Sequence, residues 1–357
     1  MISYAKGTVK SILSARKGVT EIEVEIGREN FKAINYDFLT GQVAVGDSVL
    51  LNTTAQDLKL GSGGYHFVVS VNCGEGFVAR NSPGHIMKLR YTPLQFAVLS
   101  AEEEDSPYHS IFNNFSGLGR KPVIIGELHS MVAPAVFGVK RNRPKLKVSY
   151  IMTDGGALPL SFSKTVKYLK ENNLIDGTVT YGQAFGGDIE AVNIYTALIS
   201  AFEILHSDVA VVAMGPGITG TGTEYGFSGI EQGPIIDAVN NLGGLPIFIP
   251  RISFADKRKR HYGISHHSIT VLNKVAMSGA NIVVPKFSGN KFDCIQKQID
   301  ENTLNQKHKI IYVDELEKLT QDLLSFDFKL STMGRGIDKD AEFFITAAAA
   351  GYYASSI

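Results

Sequence analysis

Seven short apolar runs in the last two-thirds of the chain constrain its fold more than any other feature. Each run has five to seven residues and lacks polar alternation, and stretches with helical periodicity lie between most of them. Strands without alternation are buried on both faces, which is typical of a parallel sheet covered by helices. We therefore predict an α/β, Rossmann-like domain over residues 121–357, with a mostly parallel sheet and helices on both faces. The runs are Pro122–Gly126, Leu146–Met152, Gly177–Tyr181, Asp208–Ala213, Leu245–Ile249, Asn281–Pro285 and Lys309–Val313.

Two segments of this domain have a clear helical character. Apolar residues recur at helical spacing from Ile189 to His206, and the segment from Lys339 to Ser355 is rich in alanine and aromatic residues. We predict a helix over each of them.

The first part of the chain has a different pattern. Val19–Ile26 alternates apolar and polar residues, and further short alternating or apolar runs follow at intervals marked by glycine turns. This spacing predicts a small β-barrel over residues 1–75, either SH3-like or OB-like. Residues 76–120 are then a connector, in which Thr92 caps a predicted helix over Pro93 to Glu104.

The composition narrows the class of protein. Lys and Arg number 35, as do Asp and Glu, so the chain is neutral and nucleic acid is not its expected partner. Its two cysteines, Cys73 and Cys294, exclude a disulfide framework and indicate a reducing compartment. No apolar run approaches the roughly 20 residues that a membrane span needs. We expect a cytoplasmic protein without a membrane partner.

Polar segments follow the predicted strands of the α/β domain. Because the carboxyl ends of parallel strands lie at one edge of a sheet, we expect these segments to meet in one crevice. They begin at Glu127, Thr153, Gly182, Gly215 and Arg251.

The segment Gly215–Thr223, with the sequence GPGITGTGT, is the most specific of them. Its glycines allow sharp turns that expose backbone N–H groups, and its threonines add hydroxyl donors, which together suit a phosphate or carboxylate. The competing interpretation is a structural loop held by glycine turns. The predicted ligand-binding residues of this loop are Gly215, Gly217, Thr219, Gly220, Thr221, Gly222 and Thr223.

Charged residues near the same edge are further candidates. Asp154 has no evident structural role, so we favour it as a functional carboxylate. Asp188 either caps the helix predicted from Ile189 or contacts the ligand. Arg258 and Arg260 could clamp an anion, or they could belong to a solvated basic segment.

Several histidines fall in the same loops. His129, His266 and His267 are candidates for acid–base catalysis or anion contact, and Ser265 is predicted to cap a helix that begins with the pair. A zinc or manganese site from histidines and aspartates is conceivable, but no metal-binding spacing supports it, so metal and cofactor stay open. The residues of that conceivable site are His129, Asp154, Asp188 and His266.

Five segments also carry a resemblance to a known family. They are GHIMKLRYTPLQ (Gly84–Gln95), GELHSM (Gly126–Met131), TDGGALP (Thr153–Pro159), GPGITGTGT and HYGISHHS (His261–Ser268). Together they resemble an uncharacterised bacterial family, the domain of unknown function 3866, over essentially the whole chain. The resemblance implies a bacterial, cytoplasmic protein and brings no reaction, substrate, cofactor or catalytic residue.

These observations leave three hypotheses about function, and whether the protein is an enzyme stays open. The first is a protein that binds or processes an anionic small molecule, bearing phosphate or carboxylate, at the carboxyl edge of the sheet. The second is a non-enzymatic regulatory or scaffold protein whose barrel binds RNA or a protein partner. The third is a homo-oligomer with the glycine loops at a subunit interface.

Overall fold

The structure is a computed structural model of the 357-residue chain, and it describes residues 2–59, 64–72, 84–92 and 94–357. The chain divides into two compact units, Met1–Ala97 and Val98–Ile357. Cys73 and Pro93 lie outside the described residues.

The first unit contains a closed five-stranded barrel, as the alternating pattern predicts. Its strand order is β1-β2-β3-β5-β4, and β3 and β5 are parallel, which is the order of OB-fold barrels. Apolar side chains such as Val24 and Leu51 fill its interior. The strands are β1 (Tyr4–Arg16), β2 (Val19–Ile26), β3 (Glu29–Asn35), β4 (Ser48–Asn52) and β5 (Tyr65–Val71), and the short helices α1 (Asp37–Thr40) and α2 (Thr54–Asp57) lie between them.

The second unit is built on an eight-stranded, entirely parallel sheet with the order β11-β10-β9-β12-β8-β13-β16-β17. Every residue of the central strands β9 and β12 is buried, so helices cover both faces, as the apolar runs predict. The strands after the barrel are β6 (Ile86–Lys88), β7 (Phe96–Val98), β8 (Pro122–Gly126), β9 (Val148–Thr153), β10 (Gly177–Tyr181), β11 (Ile189–Ala191), β12 (Val209–Met214), β13 (Leu245–Phe248), β14 (Ile252–Ser253), β15 (Gly263–Ile264), β16 (Asn281–Pro285), β17 (Lys309–Val313), β18 (Ser331–Thr332) and β19 (Arg335–Gly336).

Helices connect these strands. The α-helices are α3 (His109–Asn113), α4 (Val132–Asn142), α5 (Lys164–Glu171), α6 (Ile194–Ile199), α7 (Gln232–Asn241), α8 (His266–Thr270), α9 (Asn290–Glu301), α10 (Leu316–Leu324) and α11 (Ala341–Ala354). Short 3₁₀ turns lie at His129–Met131, Leu160–Phe162, Ser228–Glu231, Lys259–His261 and Leu304–Gln306, and wider turns, Ser200–Ile204 and Val271–Val275, extend α6 and α8. None of the helices in the described ranges is long and apolar enough to cross a bilayer.

Two predicted helices are wrong in part. The segment from Ile189 begins as edge strand β11, and α6 starts only after Asn193, whose side chain accepts hydrogen bonds from the amides of Tyr195 and Thr196. The apolar residues of β11 fit a helical period, but pairing with β10 decides their conformation. In place of the helix predicted over Pro93 to Glu104, the described residues 94–104 form β7 and turns, and α3 follows later.

Helices α4 and α11 approach each other very closely. A Cβ atom on Gly138 would lie 2.0 Å from the carbonyl oxygen of Ala348, and one on Gly351 would lie 1.9 Å from that of Ala135. Only glycine permits this backbone contact, which places the helix predicted at the carboxyl-terminal tail firmly against the core.

Candidate functional site

The crevice at the carboxyl ends of β8 and β12 is a topological switch point. These strands are neighbours, but the chain leaves β8 toward β9 and leaves β12 toward β13, in opposite directions across the sheet. Ligands of open α/β sheets bind at such points. The segments beginning at Glu127 and at Gly215 therefore flank the position where the topology favours a site.

The glycine loop after β12 forms a compact turn. The amide of Thr221 donates to the carbonyl of Gly226 at 2.8 Å, and Gly220 bridges to Phe227. The hydroxyls of Thr221 and Thr223 are 2.8 Å apart and are used within the loop. Thr219 also bonds internally, through its amide, to the Ser228 hydroxyl. The threonines thus rigidify the loop.

Two glycines of the loop lie against side chains from the segment after β13. The Cβ position of Gly220 is 3.6 Å from Cε1 of His267, and that of Gly222 is 3.7 Å from Nη2 of Arg260. Gly217 and Gly222 have φ values of +111° and +81°, where side chains are strained. Gly215 is buried, and its Cβ position lies 3.0 Å from Sδ of Met152.

The His267 ring is fixed from two sides. Its Nδ1 lies 2.6 Å from Oε1 of Glu127, and the Phe227 ring stacks on it with a centroid distance of 3.9 Å. Glu127 is buried, and its second oxygen, Oε2, has no hydrogen-bond partner in the described chain. The guanidinium of Arg251 lies 3.6 Å from Oε1. This buried network joins residues 140 positions apart in sequence.

Two further histidines surround His267. As predicted, Ser265 caps α8 by accepting a hydrogen bond from the amide of His267, so His266 and His267 occupy the first turn. The ring centroids of His261, His266 and His267 lie 4.3–5.0 Å apart. Burial, followed by the charge of Arg251, lowers the pKa of His261 to about 3. Burial and the neighbouring His267 lower the pKa of His266 as well, so both rings are neutral at pH 7.

The two predicted anion-binding arginines differ in their environment. Arg258 is committed to Asp256, to which its Nε and Nη2 donate at 2.9 and 2.7 Å, and this pairing holds the pKa of Asp256 well below its usual range. Arg260 is exposed and donates no side-chain hydrogen bond within the described ranges. It is therefore the arginine that is open to a ligand.

A second group of carboxyls lies at the ends of β9 and β10. The hydroxyl of Thr153 donates to Glu231, and Asp154 accepts from the amide of Gln183 at 2.8 Å. Burial and the negative charge of Asp154 raise the pKa of Glu231 to about 7, against the opposing effect of the Thr153 hydrogen bond. A carboxyl that titrates near neutrality can transfer protons, which makes Glu231 an acid–base candidate.

The turn Ser228–Glu231 connects these two groups. A Cβ on Gly229 would lie 2.6 Å from Cγ of Glu127, while Glu231 contacts Thr153. Segments following β8, β9, β10, β12 and β13 therefore meet around this turn and the loop before it.

Two other predicted site residues use their polar side-chain atoms in hydrogen bonds within the protein. The nitrogens of His129 lie 3.2 Å from the Tyr150 hydroxyl and 2.6 Å from the Ser163 hydroxyl, and burial lowers its pKa to about 4. Asp188 does not lie in the crevice: it accepts hydrogen bonds from Lys170 and from Thr178, near the amino end of β10. It caps no helix, because a strand follows it.

Four residues of the site are not among the sequence candidates: Glu127, Arg251, His261 and Glu231. Glu127 directly follows an apolar run, Arg251 is separated from one only by Pro250, and His261 lies in the same segment as His266, all of which are usable signals. Glu231 has none, since it lies in a turn before a helix and acquires its neighbours only in three dimensions.

Comparison with known proteins gives one match. The model of a family described as Protein of unknown function (DUF3866) matches residues 32–351. The searches among curated proteins and among solved structures found no significant match.

Proposed function

Because the chain belongs to the family described as Protein of unknown function (DUF3866), whose description states no activity, we propose its function from the crevice itself. The protein binds a small anionic molecule, bearing phosphate or carboxylate, between the glycine loop and the segment after β13. The observation that carries this proposal is the exposed Arg260, which lies against Gly222 and beside His266.

The charge balance supports an anion at this place. Asp256 and Glu127 already face Arg251 and Arg258, whereas Arg260 has no carboxylate within salt-bridge distance in the part of the chain described. A charge-assisted hydrogen bond from arginine to a phosphate or carboxylate is stronger than one between neutral groups. The unpaired guanidinium therefore attracts an anion to the mouth of the crevice.

The glycine loop supports the same ligand class. Gly217 and Gly222 are exposed, and a Cβ at Gly217 would meet no atom within 4 Å. The backbone at these positions is thus accessible to a ligand, and oriented amides of such a loop favour negative charge. Internal hydrogen bonds of the threonines keep the loop preorganised.

The barrel gives less support to the RNA-binding hypothesis. Strand β2 carries a row of carboxylates, Glu21, Glu23 and Glu25, whose nearest polar partners include Arg16 and Lys10. Because Arg16 and Lys10 pair with Glu21 and Glu25, neither cation is free to bind the phosphates of nucleic acid.

The test measures binding of inorganic phosphate and citrate by calorimetry to the full chain and to Arg260→Ala. Loss of one charge-assisted bond, worth about 1.5–3 kcal/mol, weakens binding about 10- to 100-fold. Lys259→Ala is the matched control, because it removes the same charge from the adjacent exposed position. We expect it to change the affinity less than about twofold if the effect is local. Equal losses in the two variants, or no binding of either anion to the full chain, contradict the proposal.

A further inference from the structure

We propose that His261, His266 and His267 bind a divalent transition-metal ion of the zinc type, with one coordination position open toward Arg260. One ring nitrogen from each histidine lies within 4.8 Å of those of the other two. Imidazole is a ligand that zinc and related ions prefer, whereas magnesium and calcium prefer oxygen. This site differs from the aspartate-containing metal site that the sequence suggested, which shares only His266 with it.

Hydrogen bonds select the nitrogens that face the ion. Nδ1 of His267 is bonded to Glu127 and Nδ1 of His261 lies 2.7 Å from the Ser265 hydroxyl, so Nε2 is left on both rings. Nε2 of His266 is buried and has no hydrogen-bond partner within the described residues. A buried nitrogen without a partner is costly, and coordination of a metal would satisfy it.

The contact between Glu127 and His267 is typical of the outer shell of metal sites. A ligating histidine usually donates its other N–H to a carboxylate, which fixes the ring and makes the free nitrogen more basic. Glu127 is fully buried and its Oε2 is unpaired, so its negative charge stays close to the ion. This charge is shared with the guanidinium of Arg251, 3.6 Å from Oε1, and balances only part of the positive charge that a dication would bring.

The ring positions need only a local adjustment. In tetrahedral zinc sites with bonds of 2.0–2.1 Å, ligand nitrogens are about 3.3 Å apart. Binding would draw the three nitrogens, which now lie within 4.8 Å of one another, closer together, and His266 has the most freedom to move because its side chain is only partly buried. His267 is held by Glu127 and Phe227 and serves as the fixed ligand.

Three protein ligands leave the fourth position of a tetrahedral ion open, as in catalytic zinc sites. This part of the inference rests on the proposed function, because the occupant would be an oxygen of the anion that Arg260 attracts. In its absence the position takes water. Metal and arginine together would then recognise a phosphate or carboxylate from two sides.

The experiment strips the full-length protein with a chelator and titrates it with Co²⁺, whose visible absorption reports tetrahedral coordination, followed by competition with Zn²⁺. We expect one ion per chain. His266→Ala lowers the affinity at least about 100-fold, and Glu127→Gln lowers it about 10- to 100-fold. His266→Ala is the decisive variant, because its Nε2 makes no hydrogen bond that folding would lose. Its thermal melting transition verifies folding.

His206→Ala is the matched control, since His206 is exposed and outside the cluster. A full chain that binds no stoichiometric ion, or equal affinities in His266→Ala and His206→Ala, overturns the metal site. Phosphate titrations of the zinc-loaded and stripped proteins test the open position, and we expect at least about tenfold tighter binding with zinc. Equal phosphate affinities of the zinc-loaded and stripped proteins would overturn the inference that the anion occupies the open position. If the protein binds the metal but Arg260→Ala does not change the affinity for phosphate, the proposed function is refuted and the metal site is retained.

Discussion

Replacing Glu231 by glutamine should stabilise the protein in a strongly pH-dependent way. The carboxyl has a pKa of about 7 in the folded chain, above its ordinary value of 4.5, mainly because it is buried and faces Asp154. Below pH 4.5 it is protonated whether or not the chain is folded. As the pH rises from 4.5 to 7, the unfolded chain releases the proton first, so the folded state loses stability.

The size of the effect follows from the two pKa values. The difference between these pKa values corresponds to about 3 kcal/mol, and above pH 7 the ionised carboxyl destabilises the folded state by this full amount. Glutamine cannot ionise, and its amide can still accept the hydrogen bond from Thr153. The substitution Glu231→Gln should therefore raise the free energy of unfolding by up to about 3 kcal/mol more at alkaline pH than at pH 4.5.

Urea denaturation of both proteins, measured at several pH values on either side of this window, checks the prediction. Glu301→Gln is the control, since the Glu301 side chain is 61% exposed and its substitution should give a small and nearly constant change. If Glu231→Gln raises the free energy of unfolding by the same amount at acid and alkaline pH, the surroundings do not raise the pKa of this carboxyl and the reasoning is refuted.

Three other substitutions test separate parts of the structure. Gly138→Ala should cost about 1–3 kcal/mol of unfolding free energy in urea titrations, because its Cβ would lie 2.0 Å from the carbonyl oxygen of Ala348; an unchanged midpoint would contradict the close helix contact. His129→Gln should make stability less sensitive to acid, since the histidine's folded pKa of about 4 lies below 6.5 and the protein loses stability as pH falls between these values; parallel stability profiles would refute this. Asp188→Asn should lower the thermal melting temperature by breaking contacts with Lys170, yet leave phosphate affinity within about twofold; weakened phosphate binding would place this residue in the site.

The strands were predictable because their signal is local. Pro122–Gly126 is apolar over its full length and Asn281–Pro285 is apolar after its first residue, and a strand covered on both faces leaves this mark in its own residues. The prediction of a helix from Ile189 was wrong at its start because the contact that decides the conformation there is not local. The three residues of β11 fit a helical period, but they form a strand because they pair with the edge of β10. Pairing with a neighbouring strand cannot be read from the local sequence.

The candidate site was predictable only as a set of segments. The order of strands and loops placed Gly220 and His267 at the same edge, since parallel strands share their direction. It did not distinguish Arg258, which is paired with Asp256, from Arg260, which is open. Two arginines so close in sequence look equivalent, because both carry the same charge and their roles depend on partners that folding supplies.

The sequence alone determined the layered α/β architecture, the barrel before it and the cap that puts His266 and His267 at the start of a helix. All three depend on residues close together along the chain, where periodicity and capping act. Tertiary structure alone decided that Glu127 orients His267 and that burial and the charge of Asp154 raise the pKa of Glu231 to about 7. Such effects arise from distance and burial between residues remote in sequence, which only the folded chain brings together.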